Sequence, residues 1–299
     1  PHMLIDSLTF VLEKSECLQT FWDKLDAGAD GTLGVASSAR PFLVAARFAH
    51  KPQTTLVVLA GEESAVAFAR SVAAYLGEER VLRFPERTDY PFAPKAANPS
   101  VVARRMEAAH ALASGREVVV VASARALVRK LAPAGARVCA PLVFVAGEEL
   151  EDAAQKNNEG AQAYEYPTSF EEVARSLEAR GYQNTGELEG PGTFATRGGT
   201  IDVFPGNTVY PVRLDFFGDE LEEIRRIVPS TGQTISNLDE IEIYPVIEYA
   251  ATPQTLARAR KQLEARARTN QSLRDVLEKL DGGLRFDGSD MLLPLLYEQ

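Results

Sequence analysis

Cysteine is nearly missing from this chain of 299 residues, and the two present, Cys17 and Cys139, stand far apart with no C-x-x-C pair. That excludes a disulfide framework and a zinc ribbon. Histidine is as scarce. Beyond His2 in the opening Pro1-His2-Met3, which looks like a cloning remnant, only His50 and His110 occur, too few for a His-rich metal site, and a packed or exposed histidine is the plainer identity of both. No run approaches the ~18 apolar residues needed to cross a bilayer, and no charged start leads into an apolar signal segment. The chain therefore reads as soluble and cytoplasmic. Gly (21) and Pro (17) are too few for a collagen-like or low-complexity chain. Basic residues are outnumbered, 32 Lys and Arg against 42 Asp and Glu, for a net charge of −10, which opposes indiscriminate binding to nucleic acid. A G-x-S-x-G nucleophile elbow is absent, so an independent hydrolase has little to stand on.

What is present is an alternation of short strands and helices. After an amphipathic helical stretch from about Leu4 to Asp26, Thr54–Ala60 reads as a buried parallel strand, followed by a helix from Ser64 to Leu76 and a second strand over Arg80–Phe84. Apolar spacing at Val102, Met106, Ala109 and Leu112 predicts a further helix, and Glu117–Ala122 the next buried strand. This rhythm belongs to a doubly wound α/β domain. From Val138 onward the texture changes. Strand candidates at Arg137–Ala146, Gly192–Thr196, Gly199–Phe204, Val209–Phe217, Glu220–Val228 and Glu240–Tyr244 are joined mostly by turn signals. One helix over Glu171–Arg180 stands behind Ser169, with Glu172 completing a capping-box pattern. Helix-forming composition returns over Pro253–Arg268 and Gln271–Leu280. The expected organisation is an α/β domain over residues 4–136, an inserted antiparallel-rich α+β domain over 137–246, and a helical segment over 247–299 that packs back on the first domain, being short for a core of its own.

Chemistry is sought first at Gly34-Val35-Ala36-Ser37-Ser38-Ala39-Arg40-Pro41, whose register matches the phosphate-binding template G-x-x-x-x-G-K-[ST]. Its decisive positions are wrong. Ala39 stands where a glycine lets backbone N–H groups curl around phosphate, Arg40 where a lysine reaches it, and Pro41 where a hydroxyl ligates magnesium. The segment reads as a helix start, capped by Ser37 or Ser38 with Pro41 in the first turn, or as the relic of a nucleotide loop. Val143–Ala146 before Gly147-Glu148-Glu149 resembles an acid-tipped strand, but the glycine interrupts it, so it reads as structure. A basic run from Arg258 through Arg260, Lys261, Arg266 and Arg268 to Arg274 offers phosphate contacts, yet without interleaved aromatics it reads as the solvated face of a helix.

The most informative stretch runs from Gly192 through Phe194, Ala195 and Arg197-Gly198-Gly199 to Asp202 and Pro205, and continues from Pro211-Val212-Arg213-Leu214-Asp215-Phe216-Phe217 to Gly218-Asp219-Glu220. Gly218-Asp219 between two strands signals a hairpin, and Gly198-Gly199 permits a tight bend that presents Arg197 at a turn. Two readings of this turn stand side by side. Either Phe194 and Arg197 form an exposed aromatic and cationic pair of the kind enriched at binding hot spots, or Phe194 is core and Arg197 pairs locally with an acid.

These residues carry a resemblance. The G-x-F-A-T-R-G-G-x-I-D-V-F-P run, the P-V-R-L-D-F-F-G-D-E-L-E-x-I-R run after it, and Thr231 to Gln233 resemble the module shared by two excision-repair families, the UvrB proteins and the bacterial transcription-repair coupling factors (Mfd). The Phe84-Pro85-Glu86-Arg87-Thr88-Asp89-Tyr90-Pro91-Phe92 loop and the decayed phosphate loop at Gly34, Ala39, Arg40 and Pro41 favour the coupling factors. The resemblance implies a degenerate, helicase-like nucleotide fold with an inserted domain that docks UvrA, acting as a recruitment adaptor with no cofactor and no ATPase activity of its own. RNA polymerase and double-stranded DNA would be partners of the complete protein through domains beyond Gln299. The docking positions it implies are Asn184, where this chain lacks the family's charge, and Arg197, with Ala195 in place of a second arginine and Arg180 a substitute source of charge; Phe194 and Tyr182 are expected to join them in binding UvrA. The rival readings are a direct DNA-binding module built on the Arg258–Arg274 run and a nucleotide hydrolase whose loop works despite its substitutions.

Overall fold

The computed structural model describes residues 14–89, 97–157, 164–281 and 289–297. The expected helix start at Leu4 and the loop residues Tyr90–Phe92 lie outside these. The chain forms two compact units, one comprising residues up to Glu86 with Ala108–Arg129, the other Arg87–Glu107 with Lys130 onward.

The first unit carries helices α1 (Glu16–Asp26) and α2 (Arg40–His50), strand β1 (Thr55–Leu59), α3 (Glu62–Leu76) and β2 (Val81–Phe84). Helix α4 (Pro99–Ser114) runs from the second unit into the first, and β3 (Val119–Ser123) and α5 (Ala124–Val128) follow. The three strands are parallel in the order β1-β3-β2, as the alternation of β-branched runs with helices predicts. Ala45 and Phe48 of α2 and Ala69 and Val72 of α3 pack with Val119 and Val121, so one face of the sheet is sealed by small and branched side chains. Central β3 is buried throughout. Strand β1 corrects the expectation of a buried strand: Leu56 and Val58 are exposed, because β1 is an edge strand and only its Val57 and Leu59 side reaches the helices. The Ser123 hydroxyl accepts a hydrogen bond from the Ala126 N–H at 3.1 Å and caps α5.

The second unit is built on antiparallel pairing. Its elements are β4 (Leu142–Val145), β5 (Glu148–Glu149), α6 (Leu150–Asn157), α7 (Phe170–Ala179), β6 (Gln183–Asn184), β7 (Thr193–Arg197), β8 (Thr200–Val203), β9 (Val212–Phe217), β10 (Glu220–Ile227), β11 (Thr234–Leu238) and β12 (Glu240–Ile243). Helices α8 (Pro253–Ala267), α9 (Gln271–Asp281) and α10 (Leu293–Leu296) complete it. The main sheet runs β11-β10-β9-β8-β7-β6 with β5 also on β10, and β4 pairs β12 separately. Phe194, Ile201, Val203, Leu214, Leu221 and Ile224 line one face of this sheet and meet α7 through Val173 and Leu177. Val102, Ala103 and Met106, from the first half of α4, join the same core, which strand and helix texture alone does not reveal. The capping-box expectation at Ser169 is also corrected. The Ser169 side chain makes no cap bond, and the Glu172 carboxylate instead accepts from Thr168 N and Oγ1 at 3.0 and 2.9 Å, which holds its pKa below the usual value.

The segment 247–299 groups with this second unit, together with residues 87–107 and 130–136 of the expected first domain. The reason is local: Ala259 and Leu263 on the apolar face of α8 pack with Ile247, Tyr249, Leu293 and Leu296. Tyr249 donates to the Ser289 hydroxyl at 2.7 Å, and the Tyr297 hydroxyl accepts from Ala250 N at 2.8 Å.

Arg105, Glu248, Arg87 and Asp89 of this unit form one charge network. Arg105 Nε donates to Glu248 Oε1 at 2.5 Å, Arg87 Nη1 lies 3.1 Å from Glu248 Oε2, and Arg87 grips Asp89 through two bonds of 2.8 and 2.6 Å. Arg105 and Glu248 are almost wholly buried. Removing one partner leaves an uncompensated charge in a low-dielectric interior. Glu248→Gln is therefore expected to lower the unfolding free energy by about 3–5 kcal/mol in urea denaturation. A loss below about 1 kcal/mol would show that the network is not what holds Arg87 to the segment after β12.

Candidate functional site

The hairpin of β7 and β8 is set by register. Phe194 pairs Val203, Ala195 pairs Asp202, Thr196 pairs Ile201 and Arg197 pairs Thr200. Period-two alternation then sends Phe194, Ile201 and Val203 into the core and leaves Arg197, Thr200 and Asp202 on the opposite face. Gly198 adopts φ +60°, and a side chain at Gly199 would stand 2.8 Å from the Phe216 carbonyl oxygen, so this turn requires both glycines.

The open face of the sheet is charged but largely self-satisfied. Arg213 binds Asp202 through two bonds of 2.6 and 2.8 Å, which raises the guanidinium pKa. Arg225 binds Asp215 Oδ2 at 2.9 and 2.5 Å, while Thr200 Oγ1 donates to Asp215 Oδ1 at 3.1 Å. Arg197 stands apart. Its side chain is 61% exposed, and it reaches only the Gly186 carbonyl at 3.3 Å and Glu187 at 3.4 Å, the latter itself 87% exposed. Asn184 stands on the neighbouring strand β6 opposite Phe194, exposed, with Oδ1 accepting from Gly186 N at 3.4 Å.

The structure separates the five expected docking positions. Asn184 and Arg197 are both exposed, Asn184 opposite Phe194 on the edge strand β6 and Arg197 at the end of β7. Phe194, Tyr182 and Arg180 are buried, so their expected place on an exposed docking surface is corrected. Phe194 is fully buried because its strand parity points it into the core. Tyr182 donates its hydroxyl to the Tyr244 carbonyl at 2.8 Å, and burial pushes its pKa up. Arg180, the residue after α7, is 1% exposed, sits 4.7 Å over the Tyr164 ring and donates to the Ser176 carbonyl at 3.2 Å. Burial brings its pKa down to about 10. It is a core cation held by aromatic faces, not a substitute for the charge missing at position 184. Of the two readings left open by the sequence, the burial of Phe194 and the Arg197–Glu187 pair match the second.

An exposed aromatic does stand on Arg197's face, and sequence reasoning passed over it. Phe217, at the end of β9, is 76% exposed. The signal lies in the alternation of Val212, Leu214 and Phe216, which takes every second residue inward and turns Phe217 out.

Elsewhere, Gly34 lies exposed in a stretch without helix or strand, where an added side chain would meet nothing within 4 Å of its Cβ. A 3-10 turn over Ser37–Ala39 leads into α2, whose first turn holds Pro41 and whose N-cap, Ala39, makes no side-chain bond, so neither serine caps as expected. Gly147 breaks the strand before Glu148, which pairs with Lys156. The basic run lies on the outer side of α8 and on α9: Arg260, Lys261, Arg266, Arg268 and Arg274 are exposed while Ala259 and Leu263 face inward. His50 stacks on Trp22 at 5.6 Å. Among the described residues, no group of three or more His, Cys, Asp or Glu is placed to hold a metal ion, and no helix is long and apolar enough to cross a membrane.

The UvrB interaction domain family matches residues 165–249, the stretch that holds α7, the main sheet from β6 to β11, and all five implied docking positions. Residues 165–249 are a UvrB interaction domain. The likeness extends beyond it. The chain is 33% identical over 289 residues to the transcription-repair-coupling factor of Myxococcus xanthus, covering 92% of this chain and 22% of that protein. It is 23% identical over 263 residues to that of Bacillus subtilis (87% and 21%), and 27% identical over 241 residues to UvrABC system protein B of Thermotoga petrophila (76% and 33%). The chain is thus a UvrB-like module that spans between about a fifth and a third of the length of these relatives. The matched stretch contains Arg197 and Phe217; Gly34–Pro41 lies outside it.

The two arginines make opposite predictions for stability. Arg180→Ala empties a buried site and removes the contact with Tyr164, and is expected to cost about 2–4 kcal/mol in urea denaturation. Arg197→Ala, at an exposed turn, should change stability by less than about 0.5 kcal/mol. Equal losses from both would contradict the burial assigned to Arg180.

Proposed function

We propose that this chain is a UvrA-recruiting adaptor module of transcription-coupled nucleotide excision repair, the amino-terminal UvrB-like part of a coupling factor, without ATPase activity of its own. The observation that carries the reading is the match of a UvrB interaction domain to residues 165–249, at whose sheet edge Arg197 stands exposed and only loosely paired. An exposed guanidinium on a two-glycine turn offers a planar, charge-assisted grip on a partner's carboxylate. The pair it makes with Glu187 is of the surface kind, worth little, so exchanging it for a partner's acid costs little.

The absence of hydrolysis is supported by the chemistry of the loop at Gly34. Pro41 offers neither a hydroxyl for magnesium nor an N–H for phosphate, and Ala39 and Arg40 replace the glycine and lysine of the template. Contacts with RNA polymerase and double-stranded DNA belong, on this reading, to parts of the complete protein outside this chain.

Arg197→Glu is expected to abolish co-elution with UvrA while leaving the thermal transition nearly unchanged; retained co-elution would dismiss this edge as the docking site. Titration with ATP and magnesium should release no measurable heat. Saturable heat would restore the loop to function.

A further inference from the structure

Phe217 and Arg197 sit at the same end of the sheet. The β7–β8 turn at Gly198-Gly199 and the β9–β10 turn at Gly218-Asp219 lie side by side there, because Thr200 pairs Asp215 and the Phe216 N–H donates to the Gly199 carbonyl at 2.8 Å. Both side chains stand on the face turned away from the core. Between them, Thr200 and Asp215 are committed to each other and Asp215 also to Arg225, so the ground between the two anchors carries little unbalanced charge.

The turn that carries Phe217 is clamped from behind. Asp219 Oδ1 accepts from Phe170 N, the first residue of α7, at 2.7 Å, and its carbonyl accepts from Leu150 N, the first residue of α6, at 3.1 Å. Phe216 packs edge-to-face on Phe170 at 5.3 Å. A large aromatic held 76% exposed on a turn fixed by two helix starts has little freedom left to lose on binding. Aromatic and arginine side chains are the types that dominate binding energy where they are desolvated together.

We infer that Phe217 and Arg197 form one two-point docking patch, in which Phe217 fills an apolar recess on the partner and Arg197 takes a partner carboxylate, while Glu187 is a placeholder that this carboxylate displaces. Glu187 suits that role: its pair with Arg197 is single and 3.4 Å long, beside the two-bond grips of Arg213 on Asp202 and Arg225 on Asp215. The inference rests on the proposed function, since the partner is UvrA.

The test is calorimetric titration of purified UvrA into the full chain and three variants, with thermal unfolding of each as a fold control. Phe217→Ala should weaken binding at least about tenfold with an unchanged transition, and Phe217→Leu should recover part of the loss. Glu187→Gln should tighten binding about two- to fivefold. If the unaltered chain binds UvrA and Phe217→Ala stays within about twofold of it, the patch is wrong and the docking role stands. Weaker binding by Glu187→Gln overturns the placeholder, because Glu187 would then be a contact itself. Should the unaltered chain fail to bind UvrA, the proposed function falls and the patch falls with it.

Discussion

The arrangement of the second unit depends on one geometric constraint, the period-two alternation of side chains along its antiparallel strands. Once Ile201, Leu214 and Ile224 are committed to the core, every neighbour between them is sent to the other face. Register then does the chemistry. Asp202 stands opposite Arg213, and Thr200 opposite Asp215, so the outward face is tied by cross-strand bonds without any requirement for long-range design. A slip of one residue in β7 would move Arg197 to the core-side face of the sheet and Phe194 to the other. Burial of Phe194 and exposure of Arg197 are therefore one fact seen from two sides.

Position relative to water also decides what each arginine can do. Arg105 and Arg87 are held in the interior by Glu248 and Asp89, and their value is that the charges balance in place. Arg180 solves the same problem differently, with a tyrosine face and a helix-end carbonyl in place of a carboxylate, and its lowered pKa records the cost of that burial. Arg197 keeps most of its hydration. Only such a cation can be transferred to a partner's carboxylate, because nothing in the fold depends on its present contact.

Much of this is legible in the sequence. The three parallel strands, the β7–β10 hairpins and helices α3, α4, α7, α8 and α9 follow from apolar spacing and from the Gly-Gly and Gly-Asp turns, because those signals are local. Of the expected docking positions, Arg197 and Asn184 are exposed and Phe194, Tyr182 and Arg180 are buried. A residue name does not say which parity of a strand is buried, and a Gly-Tyr pair after a helix looks the same exposed or packed under a sheet. Strand parity could have been taken from Val212, Leu214 and Phe216, and with it the exposure of Phe217. Burial of Arg180 could not, since it depends on Tyr164, which is distant in sequence. Strand β11 escapes a sequence reading because Thr234–Leu238 has few β-branched residues and little burial, and it exists through pairing with β10. The unit boundary escapes it for a related reason. The first half of α4 looks like any helix of the α/β domain until the core it fills is known.

The same considerations explain why a nucleotide loop can be relinquished while the surrounding fold persists. Gly34, Ala39 and Arg40 are not held by the core of the first unit, which rests on Ala45, Phe48, Ala69 and Val72 against β3. Substitution in the loop therefore carries almost no folding cost, and Pro41 even suits the first turn of α2. The proposed docking edge is different in kind. Its Gly199 lies against the Phe216 carbonyl, its Asp219 bonds the first residues of two helices, and its core residues alternate with its surface ones, so the exposed patch cannot drift without disturbing the fold. A phosphate cradle made of exposed loop is easily lost, whereas a protein-binding face made of the reverse side of a core sheet is retained with the core. That asymmetry suits the proposed adaptor role.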